Sequence, residues 1–139
     1  MEHPETKIIS SDGIRVKFFG ARQNFSDEKR VWAEFLKEIQ DYGKEENVTV
    51  IADATNITNE YRRYYHDMAC DYDKRILVLF DIPFEICMKQ NLMRNSDSIV
   101  DEKAMFDLHS RWEEPTKEIK ELYDEVLIVG PNFISSKLR

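Results

Sequence analysis

Residues 48–63, VTVIADATNITNEYRR, contain the change from strand to helix around which the rest of the chain can be placed. The first residues of this stretch are apolar and β-favouring and are bounded by polar residues, which is typical of a strand buried on both faces. The apolar run ends at Asp53, and Thr58 then offers an N-cap for a helix. Because ligands in doubly wound sheets lie outside the carboxyl ends of parallel strands, we expect Asp53, Thr55 and Asn56 to lie in the functional site.

Three further apolar segments predict strands: KIIS at 7–10, RILVLF at 75–80 and EVLIV at 125–129. Amphipathic or polar stretches separate the strands, and Val31, Phe35 and Ile39 give one of these stretches a helical core stripe. Strands that alternate with helices in this way favour a mostly parallel sheet with right-handed crossovers. The sequence therefore predicts an α/β, three-layer fold, with a mostly parallel sheet of about four strands and helices on both faces.

The composition is that of one folded globular domain. The 139 residues are 42% hydrophobic and 12% aromatic, and four glycines and four prolines leave no room for a low-complexity linker. A chain of this length can bury one core but is small for an α/β enzyme with helices on both faces of its sheet. We therefore expect a single domain over residues 1–139.

The net charge of −7 is concentrated in one segment of the chain. Residues 97–125 carry ten acidic and four basic side chains, and the sequence shows no basic face. A protein that follows duplex DNA through its phosphates usually has such a face. Any nucleic-acid contact should therefore be local, as in a pocket for a chain end, and residues 97–125 are a candidate surface for a partner protein.

The two cysteines, Cys70 and Cys87, fit no metal-ligand spacing and are expected to be buried thiols of a reducing compartment. The N-terminus has no charged-then-apolar signal, and no apolar run approaches the roughly 18 residues of a membrane span. We therefore expect neither secretion nor membrane insertion. These features predict a cytoplasmic protein.

Asp12 and Arg15 follow the first predicted strand, in the segment SDGIR. A helix is expected to begin there, with Arg15 one turn after Asp12 on the same side. Aspartate is favoured at a helix start by capping and by the helix dipole. Asp12 therefore has two open interpretations, a helix cap or a catalytic group.

Two arginines in the later part of the chain are further candidates. Arg62 lies with Arg63 in the first turn of the helix after Thr58, where it is either a substrate-binding group or an ordinary surface charge. The helix after the third strand is expected to end near Arg94, and the polar segment there has no apolar periodicity. Mobile polar loops over strand ends often act as lids.

In order along the chain, IISSDGIR, VIADATNITNEYRR, LVLFDIPFEICMKQNLMRN and WEEPTKEI followed by YDEVLIV resemble the landmarks of the P-loop kinase-like family, which includes AAA-type ATPases. Within it, the sequence is most similar to the ATP-dependent polynucleotide 5′-hydroxyl kinases and the zeta-toxin-like kinases. The resemblance extends from Lys7 to Val129 and depends on the order and spacing of the motifs together. It implies transfer of the γ-phosphate of ATP, with Mg²⁺, to a hydroxyl group such as a nucleic-acid 5′ end, a reaction of nucleic-acid repair.

The resemblance implies a role for each candidate residue. Asp12 matches the aspartate that accepts the proton of the attacking hydroxyl, and Arg15 matches the arginine that holds the acceptor's phosphate. Asp53 matches the acid at the end of the Walker-B-like strand, which would hold Mg²⁺ or order the site. Arg94 matches a lid arginine that stabilises charge on the transferring phosphoryl group. The residues expected to bind the acceptor beside Arg15 and Asp53 are Thr55, Asn56 and Arg62.

The sequence departs from the family in two places. Gln90 occupies the position at which the lid usually carries a second arginine, so one of the two positive charges that would stabilise the transferring phosphoryl group is missing. No G-x-x-x-x-G-K-[ST] motif occurs, because none of the four glycines, at positions 13, 20, 43 and 130, precedes Lys-Ser or Lys-Thr. The cradle for the ATP phosphates is absent, and neither ATP nor Mg²⁺ is expected to bind well to this chain alone.

In the family, the phosphate loop and the helix after it come immediately before the segment that matches Lys7. The chain therefore resembles the domain without its first strand, phosphate loop and first helix. In the usual strand order, that first strand lies between the strands that match residues 48–52 and 75–80, so its loss leaves a gap in the sheet. Self-association, or a partner chain that supplies the strand, would fill this gap.

Two functions remain open from the sequence. The first is a truncated or split phosphotransferase of the polynucleotide-kinase type, inactive alone, whose acceptor is a nucleic-acid 5′ end or a small phosphorylated molecule. The second is a non-catalytic relic or binding module that engages a phosphorylated ligand or a partner protein. A further explanation for the missing segment is that the sequence is a piece of a longer protein.

Overall fold

The structure, a computed structural model, describes residues 5–131. Its elements in chain order are β1 (Glu5–Ser10), α1 (Ser11–Phe19), α2 (Glu28–Tyr42), β2 (Val48–Asp53), α3 (Asn59–Met68), β3 (Ile76–Phe80), α4 (Phe84–Leu92), α5 (Glu102–Arg111), α6 (Lys117–Leu122) and β4 (Glu125–Val129). Residues 132–139, after β4, lie outside the described part of the chain. No helix within residues 5–131 is long and apolar enough to cross a membrane.

The strands pair in parallel, β1 with β2 and β3 with β4, which confirms the predicted α/β class. The pairing gives two sheets of two strands rather than one sheet of four. The order is consistent with the gap expected between residues 48–52 and 75–80, because β2 and β3 are not partners in either sheet. The chain divides into two compact units, Met1–Asn56 with Tyr64–Asp73 and Ile57–Arg63 with Lys74–Arg139.

The core of the first unit is built where α1 and α2 pack against the β1–β2 sheet. Its buried side chains are Ile9, Ile14, Val31, Phe35 and Ile39. The last three are the predicted helical stripe, spaced so that they share one face of α2. Phe35 is fully buried, and its ring makes edge contacts with the rings of Trp32 and Tyr65. The predicted core of this helix is confirmed.

Helix α1 is capped at both ends by residues that are suited to capping. Ser10 is the N-cap, and its hydroxyl accepts a hydrogen bond from the Gly13 N–H at 3.1 Å. Gly20 ends the helix with φ of 80°, a left-handed conformation that glycine adopts without the steric cost of a side chain. These two ends place Asp12 in the first turn of α1 and Arg15 one turn later, as predicted.

Strand β2 is partly buried on one face and exposed on the other, so the prediction of burial on both faces is wrong. Val50 packs against the core of the first unit, whereas the side chain of Ile51 is 48% exposed. Ile8, which pairs with Ile51 across the parallel sheet, is also exposed. The physical reason is that successive side chains of a strand point to opposite faces, and within this unit α1 and α2 pack on one face.

The prediction of two buried thiols also needs correction. Cys70 is exposed and only Cys87 is partly buried, so the expectation of two buried thiols is wrong for Cys70. Helix α3 ends at Met68, before Tyr72. Tyr72 instead packs against the core of the first unit, where its hydroxyl donates a hydrogen bond to the Ile39 carbonyl at 2.6 Å.

The second unit contains the β3–β4 sheet and the helices from α4 to α6. Phe84 at the start of α4 makes an edge contact with the ring of Phe106 and stacks on the ring of His109, with centroids 4.1 Å apart. Ile119 of α6 is buried. Ile76, Val78 and Phe80 alternate along β3 and remain exposed, so one apolar face of this small sheet is open to solvent in this unit.

Candidate functional site

The candidate site of the first unit lies at the carboxyl ends of β1 and β2. The two parallel strands end in register, with Ser10 opposite Asp53. Asp12 comes two residues after Ser10, in the first turn of α1, while Thr55 and Asn56 follow Asp53 in the connection to α3. The structure thus brings both segments to the same edge of the sheet, where the sequence predicted a site. The side chains of Asp53 and Thr55 are exposed there.

Arg15 is the most constrained side chain near this edge. It is 6% exposed, and its Nε and Nη2 donate to the two carboxylate oxygens of Glu28 at 3.0 and 2.6 Å. Its Nη1 donates to Asp12 Oδ1 at 2.9 Å. The guanidinium carbon also lies 4.9 Å from the ring centre of Phe25 and 5.8 Å from that of Trp32. The predicted pair of Asp12 and Arg15 is therefore in direct contact, with Glu28 as a third member.

The electrostatics of this cluster favour the charged arginine. The hydrogen bond to Glu28 raises the pKa of Arg15, burial opposes that rise, and the nearby charges of Glu28 and Asp12 add to it. Two carboxylates around one guanidinium leave the cluster with a net negative charge. The open interpretation of Asp12 as the helix cap is wrong, because the cap of α1 is Ser10 and Asp12 is bound to Arg15 instead.

Arg62 lies in the second unit and is only 3% exposed, so its interpretation as a surface charge is wrong. Its Nη1 donates to Asn59 Oδ1 at 2.9 Å and to the Glu113 carbonyl at 2.7 Å. Burial lowers the pKa of Arg62, opposed by the neighbouring carboxylates. The backbone carbonyl of Arg62 also accepts a hydrogen bond from the Tyr123 hydroxyl at 2.6 Å. These contacts connect the start of α3 to the segments on either side of α6; a role in substrate binding stays a prediction.

Arg94 lines a cleft of about 290 Å³ in the second unit. The other lining residues are Cys87, Gln90, Asn91 and Met105. Gln90, which replaces the second lid arginine expected from the family, therefore faces the same cleft as Arg94. Arg94 follows the end of α4 and is exposed. This is the arrangement of one charged and one neutral hydrogen-bonding group around an open space.

Sequence reasoning missed two residues that organise these regions. Glu28 is the first residue of α2, a position where an acid is favoured by the helix dipole and needs no other partner. Asn91, near the end of α4, is buried and bonds the backbone of Val100. No sequence signal distinguishes either residue, because tertiary packing brings Arg15 to Glu28 and Val100 to Asn91.

The described residues fit Mg²⁺ only in part and do not fit the phosphates of ATP. Asp53 offers one exposed carboxylate, which suits Mg²⁺ because this ion usually takes one or two carboxylates together with substrate phosphates. Among residues 5–131, no group of three His, Cys, Asp or Glu side chains could enclose a metal ion. The N–H of Gly13 is bound to Ser10 Oγ and Gly20 ends α1, so neither belongs to a phosphate loop.

The family model of an AAA domain matches residues 1–115, which include every element from β1 to α5 and all the candidate site residues. No curated protein matches the chain.

Proposed function

Because the chain belongs to the AAA domain family, a family of P-loop NTPase-like kinases, we propose that it is the acceptor-binding part of an ATP-dependent phosphotransferase of the polynucleotide-kinase type. The reaction would move the γ-phosphate of ATP to a 5′-hydroxyl. The chain alone would transfer little phosphate, because its sequence has no G-x-x-x-x-G-K-[ST] loop. Its acceptor would be a nucleic-acid 5′ end or a small phosphorylated molecule, encountered in the cytoplasm.

The observation that carries this proposal is the shared edge of β1 and β2. Ser10 and Asp53 end the two strands in register, and Asp12 and Asn56 follow within the same compact unit. A proton acceptor and a carboxylate suited to Mg²⁺ therefore come from neighbouring strands. Such a pair is what transfer to a hydroxyl requires on the acceptor side.

In the proposed reaction, Asp12 accepts the proton of the attacking hydroxyl. Arg15 holds Oδ1 of Asp12, so Oδ2 is the oxygen that takes the proton. Thr55 and Asn56 orient the acceptor. A role for Arg94, which belongs to the second unit, in stabilising negative charge on the transferring group stays a prediction. When bound, Mg²⁺ would supply further neutralisation of phosphate charge beside Asp53.

In this proposal, a partner chain supplies the nucleotide-binding segment. Within residues 5–131, each of the four strands has a partner on one side only. Ile51 on β2 and Phe80 on β3 are large apolar side chains exposed on these sheets. Open edges with apolar faces accept additional strands, and a partner strand or self-association would cover them.

A complementation assay tests the proposal. The 139-residue chain is compared with a fusion that adds a strand, a G-x-x-x-x-G-K-[ST] loop and a helix before residue 1. Transfer from γ-labelled ATP to a 5′-hydroxyl oligonucleotide is expected from the fusion but not from the chain alone. Asp12→Asn in the fusion should lower transfer by about 100-fold or more, as for the loss of a general base.

Two results would reject this function. One is a folded fusion that binds ATP and Mg²⁺ yet transfers no phosphate to any hydroxyl acceptor. The other is transfer that survives Asp12→Asn unchanged. Calorimetry of ATP and Mg²⁺ with the unfused chain and with Asp53→Ala completes the test, because saturable binding lost in the variant would show a substitute phosphate site.

A binding module is the second candidate, favoured by the cleft around Arg94. The cleft offers a positive charge beside the amide of Gln90, which suits a phosphorylated ligand without requiring chemistry. This function predicts that a phosphorylated oligonucleotide binds the unfused chain, that Arg94→Gln weakens the binding and that the fusion transfers nothing. The two candidates therefore give opposite results in the transfer assay.

A further inference from the structure

Glu28 makes the tightest contact in the candidate site, although no sequence pattern assigned it a role there. Both of its carboxylate oxygens accept hydrogen bonds from Arg15, one from Nε and one from Nη2. This side-on, bidentate pairing is the geometry in which arginine also binds two oxygens of a phosphate. Glu28 therefore presents to Arg15 the same pair of acceptors that a phosphate monoester would present.

The burial of the cluster leaves little room for a second anion. The side chain of Arg15 is 8% exposed, and Asp12 holds its third bonded nitrogen. The aromatic rings of Phe25 and Trp32 lie within 6 Å of the guanidinium carbon, at 4.9 and 5.8 Å. A phosphate can reach Nε and Nη2 only if the carboxylate of Glu28 moves away from them.

Glu28 is placed so that it can make this movement. Its side chain is 34% exposed, in contrast to that of Arg15, and it is the first residue of α2. Rotation of the side chain would put the carboxylate in water while the helix stays in place, because the N-cap of α2 is Asp27. Nε and Nη2 of the Arg15 guanidinium would then be open to the incoming anion.

We propose that Glu28 occupies the position on Arg15 that the acceptor's phosphate takes, and that Glu28 thereby limits the affinity of this site for phosphate. This inference rests on the proposed function for the place of Arg15 in the acceptor site. The chain carries its own competitor for that site. A phosphate dianion, with its greater charge, displaces the carboxylate, whereas a monoanion such as chloride does not.

The test is binding of inorganic phosphate to the unfused chain, followed by NMR of the Arg15 Nε–H signal. Glu28→Gln removes the competing charge but keeps one hydrogen-bond acceptor for Arg15. We expect it to bind phosphate about tenfold more tightly than the natural sequence, because one charge-assisted pair no longer has to be broken. Glu28→Asp keeps the charge on a shorter side chain and should give an intermediate gain.

The matched control is Glu34→Gln, which makes the same charge change on the same helix at a residue that pairs with Lys17 instead. It should leave phosphate affinity within about twofold of the natural chain. Arg15→Gln combined with Glu28→Gln should abolish the gain. If Glu28→Gln fails to fold, as judged by its thermal transition, the Glu28→Asp variant decides the test.

Equal phosphate binding by the natural chain and by a folded Glu28 variant would overturn the inference, as would a gain that persists without Arg15. The transfer assay separates this outcome from failure of the proposed function. Tighter phosphate binding without transfer in the fusion rejects the phosphotransferase and leaves the anion site. Transfer without any gain in Glu28→Gln retains the phosphotransferase and rejects the role of Glu28.

Discussion

Asn91 and Val100 are joined by two hydrogen bonds across the end of α4. The Nδ2 of Asn91 donates to the Val100 carbonyl at 2.7 Å, and its Oδ1 accepts from the Val100 N–H at 2.9 Å. The backbone N–H and carbonyl of Val100 each need a hydrogen-bond partner, and the side-chain amide of Asn91 supplies both. The segment between them contains Arg94, so Asn91 fixes the span that carries this arginine at the edge of its cleft.

Asn91→Ala is expected to loosen the segment that carries Arg94. The substitution removes both partners of a half-buried backbone unit and should lower the free energy of unfolding by about 1–3 kcal/mol. Hydrogen exchange should become faster at the Val100 amide than in the natural chain. Asn95→Ala, an exposed position of the same segment, is the control and should change little. If the Val100 amide exchanged its hydrogen equally slowly in Asn91→Ala and in the natural chain, Asn91 would not be what holds this segment.

The buried carboxyl of Glu38 makes the stability of the folded protein depend on pH. Burial raises the pKa of this carboxyl above its ordinary 4.5, and Glu34 adds to the rise. Its Oε2 is buried without a hydrogen-bond partner among residues 5–131. Since the folded state binds this proton more tightly than the unfolded state, stability contributed by Glu38 is lost as the pH rises above 4.5 and stays lost at neutral pH.

Glu38→Gln should therefore stabilise the chain at pH 7, by on the order of 0.5 kcal/mol. The gain should disappear below about pH 4, where the carboxyl is protonated in both states. Urea unfolding measured between pH 3.5 and 7.5 would check this. Glu46→Gln, at an exposed position, corrects for the loss of one negative charge. A gain that is the same at every pH would show that burial of the Glu38 carboxylate is not the cause.

Local signals explain why much of the fold could be predicted from the sequence. The stripe of Val31, Phe35 and Ile39 acts over about two helical turns, so its effect can be predicted without knowing the rest of the structure. The parallel strands followed from alternation of strand and helix. The common edge of Ser10 and Asp53 then followed from the rule that parallel strands end together.

The partners of individual side chains could not be predicted in the same way. Arg62 and Arg63 are adjacent and chemically identical, yet only the first is buried, because its side chain meets the Glu113 carbonyl from a distant part of the chain. Arg15 and Glu28 are 13 residues apart and meet through the packing of α1 on α2. The exposure of Ile51 likewise depends on which elements cover the sheet, and a strand's own sequence does not contain that information.

A comparison of Arg62 with Arg63 tests whether the buried contacts of Arg62 stabilise the fold. Arg62→Met keeps an apolar stem but removes the donors to Asn59 Oδ1 and to the Glu113 carbonyl. It should lower the free energy of unfolding by about 1–3 kcal/mol. Arg63→Met breaks only an exposed pair with Glu118 and should cost at most about 1 kcal/mol. Equal costs in urea unfolding would show that the burial of Arg62 does not stabilise the fold.

The two thiols should differ in their reaction with an alkylating reagent. Burial raises the pKa of Cys87, which lowers its thiolate fraction near pH 8, and its Sγ donates to the Ile82 carbonyl at 3.8 Å. Cys70 is exposed on the surface. We expect iodoacetamide to modify Cys70 first and Cys87 at least about tenfold more slowly, since reactivity follows thiolate fraction and access. Mass spectrometry of timed samples distinguishes the sites, and Cys70→Ser should retain only the slow phase.

In urea the rates of modification of the two thiols should converge, because unfolding removes the burial of Cys87. Equal rates in the folded chain would mean that the helix carrying Cys87 opens readily, and with it the cleft that Arg94 lines.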